Sequence, residues 1–129
     1  MRLLLASGVS ITLTFAGCLT IEEMAPPVGP EFLRTRTKND VALSVLERGR
    51  EVYLADCTRC HSVEPISRYS KNHWHTIIER MGPLSKLDES RTAALQAYVL
   101  AAHTVLAIET ANERHQRMSN GLPLPQRNE

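Results

Sequence analysis

Only three cysteines occur in the 129 residues, and two of them stand three positions apart with a histidine directly after the second. Cys57, Cys60 and His61 form the pentapeptide C-T-R-C-H. A disulfide framework cannot use an odd number of cysteines completely. A chain of this length forms one small domain with extensions, which excludes a two-domain enzyme. Aromatic residues are scarce at 5%, so the core is expected to be thin and to need a crosslink, a metal or a cofactor.

The C-x-x-C-H spacing is the attachment pattern of covalently bound haem. Two thiols at this distance each add to one vinyl group of the porphyrin, and the adjacent His61 then becomes the proximal axial ligand of the iron. A thioredoxin-like redox site is an alternative, although it is expected in a βαβ context. A zinc site is another, but it needs one ligand beyond Cys57, Cys60 and His61. A chance match to so short a pattern also remains open.

The N-terminal residues have the pattern of an export signal. Arg2 supplies one positive charge, and the apolar run over residues 3–16 is shorter than the roughly 20 residues of a membrane span. We therefore predict a signal peptide over residues 1–17. Its end, Phe15-Ala16-Gly17-Cys18, resembles the lipobox of bacterial lipoproteins, which implies a diacylated Cys18 at the mature N-terminus. Cleavage nearby by the ordinary signal peptidase is the alternative.

Flanking segments rich in proline and glycine predict a central domain over residues 39–114. Residues 18–38 contain Pro26-Pro27 and Pro30 and are predicted to form an extended, lipidated tether. Residues 115–129 are predicted to be a flexible tail. Basic and acidic side chains number 15 and 14, so no basic field favours nucleic acid as a partner.

Three helical patterns and no strand-like alternation occupy the central domain, which predicts an all-α fold. The expected helix starts are residues that can cap a helix: Asn39 or Asp40, Ser70, and Ser85 in a variant capping box with Asp88. The second helix is expected to end at Gly82-Pro83 and the third near Arg114.

Residues 40–105 resemble the small class of c-type cytochromes, in which one helix precedes the haem motif and a C-terminal helix packs across it. Gly49 and Tyr53 precede Cys57 in the family arrangement G-x-x-x-[YF]-x-x-x-C-x-x-C-H. Gly49 permits close approach of a second helix, where Tyr98 can pack at the crossing. The resemblance implies three to four helices wrapped around one covalent haem c.

The resemblance also implies a second axial ligand, usually a methionine. The segment from Trp74 to Met81 resembles the W-x-x-[IV]-[ILV]-x-x-M pattern of short exported cytochromes, so Met81 is expected in that role. Met81 also continues an apolar stripe, and simple core packing is the alternative. Four histidines compete without supporting spacing, and the first two are expected to face solvent: His73, His75, His103 and His115.

Apolar side chains are expected to line the haem pocket. Those predicted are Ile66, Trp74, Ile77, Leu84, Leu87, Leu95, Val99 and Leu100, together with Tyr98 and with Pro65, which resembles the family's proline near the proximal ligand.

A single haem motif with no motif for catalysis predicts a monohaem electron carrier rather than an enzyme. We expect it on the periplasmic side of a bacterial membrane, exchanging electrons with redox protein partners through Fe(II)/Fe(III) haem. An open sixth position would instead give a gas or peroxide sensor or a weak peroxidase. A haem subunit that relays electrons inside a larger complex is a third hypothesis.

Overall fold

A computed structural model of the protein describes residues 20–35 and 41–124. Within these ranges the chain is helical and has no strand, which confirms the all-α prediction. The helices are α1 (Ile21–Met24), α2 (Pro30–Leu33), α3 (Leu43–Ala55), α4 (Lys71–Leu84) and α5 (Glu89–Ser119), with 3₁₀ turns at Cys57–Arg59 and Ile66–Arg68. The predicted signal peptide, Cys18, and the predicted first caps Asn39 and Asp40 lie outside the described residues.

α3 and α5 cross at Gly49. A Cβ added to this glycine would lie 2.5 Å from the Tyr98 Cβ and closer still to the carbonyl oxygen of Ala94. Because the obstacle includes backbone, only glycine allows the two helices to approach this closely. The close crossing at Gly49 and Tyr98 predicted from the sequence is confirmed.

Residues 25–32, here called the N-terminal strap, pack against the core. Ala25 and Phe32 are fully buried, and the Phe32 ring stacks on Tyr98 with a centroid distance of 6.1 Å. The Tyr98 hydroxyl donates a buried hydrogen bond of 2.8 Å to the Pro26 carbonyl. The prediction of an extended tether is wrong for this segment, since a proline-rich backbone can still bury the side chains that flank its prolines.

The end of α4 differs from its prediction. The helix begins as predicted with Ser70 as its N-cap, but it continues through Gly82 and Pro83 to Leu84. Lys86 takes the left-handed conformation with φ of 55°, and the Leu87 amide donates to the Gly82 carbonyl over 3.0 Å. The positive φ that usually selects glycine at a helix end is here adopted by a lysine, which sequence rules do not indicate.

The predicted start of α5 at Ser85 is also wrong. Asp88 is the N-cap, and its carboxylate accepts a hydrogen bond of 2.8 Å from the Arg91 amide. The helix runs past Arg114 to Ser119, so part of the predicted tail is helical.

The first half of α5 lies at the centre of the core, and its second half projects from the core into solvent. Its buried side chains lie between Ala94 and Val105, whereas residues 107–119 are exposed. By length and composition alone α5 is able to cross a membrane, a test that the core helix of a globular domain also passes. Its buried first half packs on α3 and α4, as expected of a core helix.

Candidate functional site

A cavity of about 390 Å³ opens between the C-x-x-C-H turn, the segment that follows it, and α4. Its lining residues are Tyr53, Asp56, Cys57, Cys60, His61, Val63, Glu64, Tyr69, His73, Trp74, Ile77, Met81, Leu84 and Ser85. A cavity of this size with aromatic and aliphatic walls and few polar groups is typical of a small-molecule or cofactor site. The two thiols, the histidine and the methionine singled out in the sequence therefore share one cavity.

A second cavity of about 30 Å³ continues inward between α4 and α5. Of the predicted lining residues, Trp74, Ile77 and Leu84 reach the larger cavity, whereas Leu87, Leu95 and Val99 reach the smaller one. The remaining four line neither cavity: Pro65, Ile66, Tyr98 and Leu100. Tyr98 faces the N-terminal strap instead, because its ring and hydroxyl contact Phe32 and Pro26.

The two cysteines are free thiols that differ in exposure. Cys57 is half-buried at the start of the 3₁₀ turn that follows α3, and Cys60 is exposed. Burial, together with the nearby Asp56 carboxylate, raises the pKa of the Cys57 thiol to about 11. Redox-active C-x-x-C cysteines have lowered pKa values that favour the thiolate. The surroundings of Cys57 therefore do not favour thioredoxin-like chemistry.

The His61 ring is exposed and is oriented by a local hydrogen bond. Its Nδ1 lies 2.8 Å from the carbonyl oxygen of Ser62. A carbonyl can only accept, so Nδ1 carries a proton, and in the neutral ring Nε2 keeps its lone pair. Metal-binding histidines are commonly held in this way, with the second ring nitrogen bonded to a carbonyl. His61 is therefore prepared to bind a metal through Nε2.

Met81 lies on the α4 side of the cavity and is 36% exposed. It shares the cavity-facing side of this helix with Trp74, Ile77 and Leu84. The thioether is thus accessible from the cavity rather than enclosed in the core.

The histidines that compete with Met81 for the role of second axial ligand differ in whether they line the cavity. His73 is exposed as expected, yet it also lines the cavity next to Tyr69, with 4.7 Å between ring centroids. His75 points elsewhere: its Nδ1 is 2.9 Å from the Gln96 amide nitrogen and its Nε2 is 3.2 Å from Glu79. Of these four histidines, His73 is the one that lines the same cavity as Met81.

An aromatic cluster forms the inner wall of the cavity. The buried Trp74 indole donates a hydrogen bond of 2.8 Å to the Ile66 carbonyl, and its ring meets Tyr53 and Tyr69 edge-on with centroid distances of 5.9 and 5.5 Å. The Tyr53 hydroxyl donates to the Glu64 carbonyl. Burial raises the pKa of Tyr53, so the hydroxyl remains a protonated donor. The cluster ties α3 and α4 to the loop between them.

Asp56 is a functional candidate that sequence reasoning missed. It is 5% exposed, lines the cavity next to Cys57, and forms ion pairs with Arg91 and with Arg59, the latter at 3.4 Å. The pair with Arg91 joins the C-x-x-C-H turn to the first turn of α5. No local pattern indicates this contact, because its partners are 35 positions apart.

Within residues 20–35 and 41–124, no three or more His, Cys, Asp and Glu side chains are grouped so as to hold a metal ion by themselves. The chain matches no protein-family model, and neither curated proteins nor solved structures give a significant match.

Proposed function

We propose that this chain is a monohaem c-type cytochrome that carries single electrons between redox proteins. The observation that carries the proposal is the meeting of four side chains at one cavity: Cys57, Cys60, His61 and Met81. In this proposal the thiols attach haem c, and His61 and Met81 are the axial ligands.

The residues of the cavity fit such a group. A bound haem would supply an iron that alternates between the ferrous and ferric states. His61 presents a free Nε2 because Nδ1 is held by the Ser62 carbonyl. A Met81 sulfur ligand would favour the ferrous state, and the apolar surface of Trp74 would disfavour the additional positive charge of the ferric state.

The cavity opens toward solvent, as transfer to another protein requires. Cys60 and His61 are exposed at its edge, and Leu84 at the rim is 76% exposed. An exposed apolar rim suits a small and transient contact with a redox partner. We propose that the protein lies on the periplasmic side of a bacterial membrane, held by lipid on Cys18.

The proposal is tested by expressing the full chain in a host that attaches haem c after export. The mature protein should have an intact mass that includes one haem, and its ferric spectrum should show the charge-transfer band of methionine–iron ligation. The double substitution Cys57→Ser/Cys60→Ser should abolish covalent haem, whereas Cys18→Ser should retain it and release the protein from membranes.

Two results would contradict this carrier function. A mature protein that contains no covalent haem would contradict the proposed electron-carrier function. Covalent haem that lacks the methionine band and readily binds carbon monoxide in the ferrous state would instead indicate an open sixth position. That outcome would favour the gas- or peroxide-binding alternative.

A further inference from the structure

We propose that the C-terminal end of α5 rests on the phospholipid bilayer, so that the cavity faces away from the membrane. This inference rests on the proposed lipid anchor at Cys18. It concerns the exposed end of α5, a surface separate from the candidate haem site.

The position of the anchor follows from the packing of the first described residues. Thr20 caps α1 through reciprocal hydrogen bonds with Glu23, of 3.2 and 2.7 Å. α1 then lies beside the second half of α5, where the two helices share a groove. Cys18 precedes Thr20 by two residues, so the link between them spans at most about 7 Å. Lipid on Cys18 must therefore enter the bilayer close to the second half of α5.

The surface next to this point has the composition of a membrane contact. The α5 tip, defined as residues 118–124, exposes three apolar side chains: Met118 at 60%, Leu122 at 52% and Leu124 at 48%. Arg114 and Arg117 precede them on the exposed part of the helix. Apolar side chains beside arginines are typical of segments that lie at the headgroup level of a bilayer.

The α5 tip has a defined backbone conformation. Gly121 takes φ of 66°, and the amide of Leu122 donates to the Arg117 carbonyl over 2.9 Å. A further bond of 3.1 Å joins the Gly121 amide to the Met118 carbonyl. The turn therefore presents its apolar side chains from a folded helix end rather than from a loose tail.

The cavity lies far from this surface along the same helix. Leu95 lines the inner cavity and Met118 belongs to the α5 tip, and a helix with a rise of 1.5 Å per residue separates them by about 34 Å. When α5 stands upright on its tip, this separation leaves the cavity in the aqueous phase.

Acidic side chains restrict which lipids suit this arrangement. The groove between α1 and α5 is lined by five glutamates, Glu22, Glu23, Glu31, Glu109 and Glu113. An anionic surface would repel this groove, since charges near a bilayer respond to its surface potential. We therefore expect the α5 tip to contact zwitterionic lipid, with the glutamates held above the headgroups.

The orientation is measured with spin labels on the lipidated holoprotein in phosphatidylcholine vesicles. Haem and lipid occupy the native cysteines in this form, so one introduced cysteine receives the label. The tip positions are Leu122→Cys and, as a milder second site, Ser119→Cys. The matched positions are Ser67→Cys near the cavity and Glu109→Cys in the acidic groove, both of which are exposed.

Labels at both tip positions are expected to lose collisions with an aqueous nickel chelate and to gain collisions with oxygen when the protein binds vesicles. Labels at residues 67 and 109 should stay accessible to nickel. The orientation would be overturned if the tip labels stay accessible to nickel on vesicle-bound protein. It would also be overturned if the label at residue 67 loses its accessibility to nickel. A mature mass without lipid on Cys18 would overturn it together with the anchor, while the haem proposal would still be decided by the spectrum.

Discussion

Gly49 of α3 lies against Tyr98 of α5 so closely that a Cβ on the glycine would come within 2.5 Å of the Tyr98 Cβ. The same Cβ would also collide with the carbonyl oxygen of Ala94. This oxygen belongs to the backbone of α5 and cannot rotate away as a side chain can. The α3–α5 crossing and the packing of the N-terminal strap on Tyr98 therefore meet at this position.

The first prediction concerns this crossing. Gly49→Ala should destabilise the protein by at least about 1–3 kcal/mol, the usual cost of overpacking, because backbone must move to admit the methyl group. Gly82→Ala is the matched control, since a Cβ there would meet Thr92 Oγ1 at an ordinary 3.5 Å. The control should be neutral or stabilising by up to about 1 kcal/mol, the helix preference of alanine over glycine. Urea denaturation followed by circular dichroism measures the free energy of unfolding of both variants. Equal losses of stability in Gly49→Ala and Gly82→Ala would contradict the close packing described at Gly49.

The second prediction concerns the N-terminal strap. Tyr98→Phe removes the hydroxyl that reaches the Pro26 carbonyl and should cost about 1–3 kcal/mol, because the buried carbonyl loses its donor. Limited proteolysis should then cut within residues 25–35 faster than in the unaltered protein. Tyr69→Phe serves as the control, because that tyrosine lies at the cavity and not at the strap. Unchanged cleavage in Tyr98→Phe would show that the strap is held by other contacts.

The third prediction follows from the raised pKa of Cys57 in the haem-free protein. In a Cys60→Ser background, alkylation of Cys57 by iodoacetamide should accelerate with pH up to about 11. The folded state holds the thiol proton more tightly than the unfolded state, in which the pKa of the thiol is near 9.0. Stability should therefore fall as pH rises from about 9 to about 11. A reaction rate that already levels off near pH 8 would contradict this.

The neighbouring carboxylate gives a companion test of the same residue. Asp56→Asn removes a negative charge beside Cys57 and should shift its alkylation profile toward lower pH. The same change leaves Arg91 without its carboxylate partner and should destabilise the fold, by about 1–3 kcal/mol given that Arg91 is 38% exposed. Glu64→Gln, which loses only the exposed pair with Arg68, should cost less than about 1 kcal/mol.

The fourth prediction assigns the sixth ligand. In the haem-loaded protein, Met81→Ala should abolish the methionine–iron charge-transfer band and allow external ligands to bind ferric haem, because the cavity loses its thioether. Met118→Ala is the control, since this methionine lies on the projecting end of α5. Persistence of the band in Met81→Ala would exclude Met81. A spectrum of the unaltered protein that shows two nitrogen ligands on the iron would indicate His73 as the sixth ligand instead, because it lines the same cavity.

Local sequence patterns predicted those parts of the fold that depend on neighbouring residues. The helical periodicity around Trp74 and the cap at Ser70 are reproduced, as is the close approach at Gly49. The boundary errors at Gly82 and Ser85 have one physical origin. Lys86 accepts a positive φ because the surrounding turn is fixed by hydrogen bonds to α4, and composition does not reveal such a constraint.

The candidate site could be predicted only in part for a related reason. The cysteines and His61 form a contiguous motif, and Met81 lies on a recognisable helix face. Asp56 and Tyr69 became visible only in three dimensions, because Asp56 depends on a partner 35 residues away and Tyr69 on the packing of a loop against Trp74. Tyr98 is predicted to line the pocket, whereas its ring and hydroxyl contact the N-terminal strap.

The N-terminal strap also determines where the smallest independently folding unit of this chain begins. A fragment that starts at residue 39, the boundary suggested by the helical patterns, would lack Phe32 and expose the ring and hydroxyl of Tyr98 to water. Arg50 would lose its 3.1 Å hydrogen bond to the Ala25 carbonyl as well. Ala25 and Phe32 belong to the buried core, so a domain boundary at residue 39 would cut through that core.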